Sequence, residues 1–186
     1  MKLPSYSRRR CEDQDMTSDS SRAVALLRGI NVGKENRIAM ADLRECTESV
    51  GCRDVATVLA SGNVVLTHDR PIPELRQALK TAYAERFSYD AVVQVVPRTT
   101  VADAVEGYPF ESLPEHHDYV VFSDSRQVAG RVAELMDDAV RPDSTESVAA
   151  GPDWVYWRVS RGDTLKSAAA KVLDSREHKV HLTTRN

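Results

Sequence analysis

With 186 residues, 41% of them hydrophobic and 28% charged, the chain is long enough to bury a sizeable core, as one large domain or as two small ones that share it. No run approaches the roughly 18 uninterrupted apolar residues that span a bilayer, so no membrane role is expected. The formal net charge of −3 argues against non-specific nucleic-acid binding, which needs clustered cations to neutralise several phosphates.

Cys11, Cys46 and Cys52 contain no C-x-x-C pair, which suggests neither a disulfide framework nor a zinc site and fits the reduced cytoplasm. Residues 1–21 read as a disordered N-terminal tail: the basic cluster Arg8, Arg9 and Arg10 is balanced by Glu12, Asp13, Asp15 and Asp19, and no apolar signal segment follows it. Met16, at the head of MTSDSSRAVALL, reads as an alternative natural start.

From Arg22 to Arg28 the chain is nearly continuous apolar sequence, the pattern of a central strand, and Met40, Leu43, Thr47 and Val50 then recur at helical spacing up to Gly51. Val55–Ala60 and Asn63–Thr67 are short β-branched runs joined through Ser61-Gly62, a hairpin signal. Pro71 and Pro73 open a helix with the stripe Leu75, Ala78, Leu79, Ala82, Tyr83 and Phe87, and Ala91–Val96 is a strand ended by Pro97. The first half, 22–98, therefore runs βαββαβ. Residues 99–118 form a linking helix, Thr99–Glu106, and a loop. Over 119–186 the order returns: a strand at Tyr119–Ser123, a helix marked by Val128, Ala129, Val132, Leu135, Met136 and Ala139, and two strands around the turn Gly151-Pro152-Asp153. A helical face at Leu165, Ala168, Ala169 and Val172, capped by Asp163, and a last strand at Lys179–Thr183 complete it.

In a split βαβ sheet the first and third strands are antiparallel neighbours. The loop Gly29–Gly33 and the turn Ser61-Gly62-Asn63 must then converge at one end of the sheet. Strands 23–27 and 91–96 are apolar on both faces, so the sheet face away from the helices is expected to be covered by the other half or by a second subunit, which disfavours an open RNA-binding sheet.

The runs ALLRGINVGKENRIAMADLRE, VLASGNVVLT and LTTRN resemble the bacterial family known as domain of unknown function 1697, whose pattern pairs an RGINVG turn and a Met-x-x-Leu helix, here Met40 and Leu43, with an SGN turn and a late TTRN. The resemblance implies an α+β fold of two ferredoxin-like βαββαβ halves, with mostly antiparallel sheets and helices on one face, and it implies no assigned activity. Two departures stand out: Lys34-Glu35 follows RGINVG where the family has a second glycine, and the family continues past TTRN into a short helix.

The candidate ligand site consists of Arg28, Gly29, Asn31 and Gly33 with Ser61, Gly62 and Asn63. Glycine-rich backbone can turn N–H groups into one concavity, and the Arg28 fork can hold an anion, so a small anionic ligand such as a nucleotide is the leading partner, with Lys34 or Arg37 at the rim. On the plain structural reading, the glycines only permit tight turns and Arg28 pairs with a carboxylate. No cofactor or metal is called for. Gly162-Asp-Thr-Leu-Lys166-Ser167 lacks the glycine of a phosphate loop directly before its lysine. His116, His117, His178 and His181 read as solvated. No serine sits on a nucleophile elbow, Cys46 and Cys52 have no histidine nearby in sequence, and Trp154, Tyr156 and Arg158 on one strand face fit core burial or base stacking. No reaction class follows. The alternatives to ligand binding are a nucleic-acid-binding module and a protein–protein interaction module without catalysis.

Overall fold

A computed structural model describes residues 21–32, 36–88, 90 and 92–186. The tail expected over 1–21, save Ser21, and the candidates Gly33 and Lys34 lie outside the described residues.

The first half runs β1 (Arg22–Arg28), α1 (Met40–Ser49), β2 (Arg53–Val58), β3 (Asn63–Thr67), α2 (Ile72–Phe87) and β4 (Val92–Pro97), and α3 (Arg98–Glu106) links it onward. The second half runs β5 (His116–Ser123), α4 (Arg126–Ala139), β6 (Ser147–Ala150), β7 (Trp154–Ser160), α5 (Ala168–Leu173) and β8 (Leu182–Arg185). Two four-stranded sheets result, ordered β2-β3-β1-β4 and β6-β7-β5-β8, with all neighbours antiparallel. Both are the ferredoxin-like order. Among the described residues no helix is long and apolar enough to cross a membrane.

Strand alternation explains the layers. Ala23, Ala25 and Leu27 of β1 point toward α1 and α2, where Leu43, Leu75, Leu79 and Tyr83 close one core. Val24 and Leu26 point the other way and share a cluster with Phe122, Trp154 and Tyr156 of the second sheet. Val121, Val155 and Trp157 then face α4 and α5 in a third cluster. Helices thus lie outside and the two sheets face each other, so the apolar second face of β1 is covered within this chain. Tyr108 and Phe110 of the linker join the middle cluster, with the Tyr108 ring edge-on to Tyr156 at 5.5 Å. That covers the aromatic face of β7, where the stacking of a base was the other option.

Several expected boundaries shift. The last helix starts at Ala168, not near Asp163: Ser167 Oγ accepts from the Ala170 amide, and the Asp163 carbonyl accepts from the amides of Lys166 and Ser167 in a preceding turn. Leu165 consequently projects into solvent instead of joining a helical stripe. The last strand is Leu182–Arg185, β2 ends at Val58, and β5 begins at His116, where the expected strand began at Tyr119. The histidines differ as well. His178 is buried, His181 Nδ1 lies 2.7 Å from Asp124 Oδ2, and the His116 ring is held between the Pro114 carbonyl and Thr145 Oγ1, both at 2.8 Å.

Candidate functional site

The expected convergence of the two turns is present. Leu26 pairs with Asn63, and the Leu27 amide donates to the Gly62 carbonyl at 2.9 Å, which brings the end of β1 against the turn before β3. Gly62 has φ +79°, and a Cβ there would stand 2.9 Å from both Leu27 Cβ and Ile30 Cδ1, so this position has room only for glycine. Gly29 also has positive φ, and its carbonyl accepts from Asn36 Nδ2.

The polar side chains here are engaged within the protein. Asn31, in the left-handed region that asparagine tolerates, donates from Nδ2 to the carbonyls of Ile38 and Ala60 and accepts from the Ile38 amide, stitching its own loop to the β2–β3 turn. Asn63 Nδ2 donates to Val58 O and Ser61 Oγ. Arg28 reaches across to the second half: Nη1 donates to the carbonyls of Lys179 at 3.1 Å, Leu173 at 3.4 Å and Leu182 at 3.5 Å, and Nη2 meets Asp174 Oδ1 at 3.2 Å. Its side chain is 29% exposed and that of Asp174 80%, so the ion pair is partly screened.

Arg185 was not singled out from the sequence, yet it completes this end of the molecule. Its Nε donates to Asn63 Oδ1 at 2.6 Å and its Nη2 to the Leu27 carbonyl at 2.7 Å, while Nη1 meets Thr183 Oγ1 and Thr184 O. Burial pulls its guanidinium down to about 10, which leaves it cationic at neutral pH. Gln94, fully buried on β4, adds a bond from Nε2 to the His181 carbonyl at 2.9 Å. The RGIN turn, the SGN turn and the TTRN run therefore meet in one polar seam between the halves. The signal available in the sequence was the TTRN run itself, whose arginine has no carboxylate side chain within seven residues along the chain.

A concavity lies elsewhere, on the helix-bearing face of the second sheet. It has a volume of about 360 Å³ and is bounded by the end of α4, the approach to β6, the end of β7 and the start of α5. Arg141, Lys166 and Lys171 bring positive charge to its wall, Glu146 and Asp163 negative charge, and Ser144 and Ser167 hydroxyls. Arg141 pairs with Asp143 at 3.6 Å, whereas Lys166 and Lys171 form no ion pair with a described carboxylate. The Glu146 carboxylate is fixed in place: Oε1 accepts from Trp157 Nε1 and from Ser167 Oγ, both at 2.7 Å. The Gly162–Ser167 run that fails as a phosphate loop forms one wall. The amides of Lys166 and Ser167 are spent on the Asp163 carbonyl and are not open to an anion here.

Cys46 and Cys52 are free, buried thiols in the first-half core, and burial raises the pKa of both, which suits packing better than nucleophilic attack.

Comparison with solved structures finds a conserved bacterial protein, SP0830 from Streptococcus pneumoniae, at 24% identity with a TM-score of 0.71, covering 89% of this chain and 92% of that one. This likeness shows the fold. TA0507, for which a chlorite dismutase assignment has been put forward, aligns at 12% identity over 89% of this chain and 90% of that chain with a TM-score of 0.24, too low to carry an argument. No curated protein matches the sequence. Residues 21–156 match the family described as protein of unknown function (DUF1697), and the chain belongs to that family.

Proposed function

We propose that this protein binds a small anionic ligand, and that the ligand sits in the second-half cavity. The observation that carries the reading is the pair Lys166 and Lys171, two ammonium groups on the wall of a cavity of about 360 Å³ without ion-pair partners among the described residues. Charge placed on a concave wall favours an anion more than charge on a convex surface does, because the low-dielectric walls of a cleft focus the field. The turn pair with Arg28, Gly29, Asn31, Ser61, Gly62 and Asn63 is the other seat for the same ligand. Its donors already serve internal acceptors, which supports reading it as a fastener between the halves.

A thermal-shift screen of phosphate, sulfate, sugar phosphates and nucleotides at low ionic strength tests the proposal. Anionic compounds are expected to stabilise the native protein and Arg28→Ala, but not the double variant Lys166→Ala/Lys171→Ala. Stabilisation that survives the lysine changes and disappears in Arg28→Ala would move the site to the turn pair.

One observation favours a second reading, a protein-interaction module. Val32 and Leu59, 70% and 76% exposed, stand beside the two turns, and Leu59 holds a φ of +59° that leucine rarely adopts. Replacing both by serine is expected to leave folding intact and to abolish any partner recovered by cross-linking in cells. Retention of the partner would remove this reading.

A further inference from the structure

The cavity wall carries two kinds of recognition, and only one of them is accounted for by an anion. Glu146 stands among cations, but its Oε1 is held by the tryptophan and the serine, and neither Lys166 nor Lys171 comes within ion-pair distance of it. Trp157 is 2% exposed and part of the second-half core, so this anchor is rigid. Among the described residues the second carboxylate oxygen accepts no hydrogen bond, and Glu146 is only half-buried on the cavity wall. A carboxylate presented in this way accepts hydrogen bonds, and it repels a bare anion brought to the neighbouring lysines. Asp163 adds to that repulsion. An anion without donors would therefore meet attraction and repulsion in the same space, whereas an anion carrying a donor group would satisfy both walls.

We infer that the cavity takes a phosphate ester whose organic part carries a hydroxyl or ammonium donor, with the phosphate against Lys166 and Lys171 and the donor against Glu146. This rests on the anion-binding reading above and adds the class of ligand. The volume suits a single small ester, since pockets for drug-sized ligands begin at about 300 Å³. The serine hydroxyl of Ser144 is on the same wall and can donate to a phosphate oxygen.

Isothermal titration calorimetry of the full chain with inorganic phosphate, ribose 5-phosphate and O-phosphoethanolamine tests it. At least one ester is expected to bind tenfold or more tightly than phosphate, and which of the two does so separates a hydroxyl donor from an ammonium. In Glu146→Gln the amide oxygen can still accept from Trp157 and Ser167 while the free acceptor becomes a donor, so the preference should shrink to within threefold. Equal affinity of the native protein for phosphate and both esters, or an unchanged preference in Glu146→Gln, would overturn the inference and leave anion binding by the lysines standing. No binding of any probe, or binding indifferent to Lys166→Ala/Lys171→Ala, would instead overturn the anion reading itself. The ranking of probes by the native protein decides the matter even if the glutamate variant does not fold.

Discussion

The two halves share one strand order, and they differ at the place where the second helix of each unit begins. In the first half, three residues, 50–52, join α1 to β2, and four, 68–71, join β3 to α2. Cys52, Leu66 and Leu75 there belong to the buried core, and the half-buried Val50 and Ile72 pack against it. In the second half the corresponding connections run over 140–146 and 161–167, and α5 has 6 residues where α2 has 16. Longer connections and a shorter helix leave the corner open, and Ser144, Glu146, Lys166 and Ser167 line it instead. The two halves therefore keep one strand order while the helix ends around it differ. Ends are where a ligand pocket can open without disturbing a core.

The comparison can be tested at several strengths. The largest effect is expected from separation: residues 22–98 alone would leave Val24, Leu26 and Val96 uncovered, so size-exclusion chromatography should show association, and a well-dispersed monomer would mean that the inter-sheet cluster is dispensable. Next, Arg185→Ala strips donors from Asn63 and the Leu27 carbonyl and should cost about 2–3 kcal/mol in urea unfolding. Gly62→Ala forces a methyl group against Leu27 and Ile30 at a positive φ and should cost about 2 kcal/mol by the same measurement. At the other extreme, Lys166→Ala/Lys171→Ala should change stability by less than about 0.5 kcal/mol, because both residues are exposed and form no ion pair among the described residues. If the lysine pair proved as costly as Arg185, the cavity would be a structural element like its filled counterpart in the first half.

Much of the architecture was legible because it rests on short-range patterns. The apolar run Ala23–Leu27, and Val92–Val96 with the single polar residue Gln94 inside it, identify central strands buried on two faces, and Ser61-Gly62 identifies the turn that sets the β2–β3 pairing. The convergence of Arg28 and Asn63 followed from topology alone. Their partners did not, because Arg28 bonds to carbonyls 145 to 154 residues away and no sequence spacing encodes that distance. The last helix start was misplaced for a local reason. Asp163 and Ser167 are both good cap residues, and only the turn closed by the Asp163 carbonyl shows which one precedes the helix. The cavity was illegible since it arises from what is missing at a corner, and its best-held residue, Glu146, depends on an indole in the next strand.

The seam between the halves also bears on how the chain matures at the ribosome. Gln94 finds its acceptor on His181, 87 residues later, and the carbonyls that receive Arg28 emerge in the same late stretch. At translation rates of roughly 5–20 residues per second, about 4–17 s separate the appearance of donor and acceptor. During that interval the first sheet can form against its own helices, and Val24, Leu26 and Val96 gain their cover in stages as Ala104, Phe122, Trp154 and Tyr156 emerge. The apolar cover is thus complete once Tyr156 has emerged, and residues 173–185 arrive last to close the polar seam over sheets that already face each other.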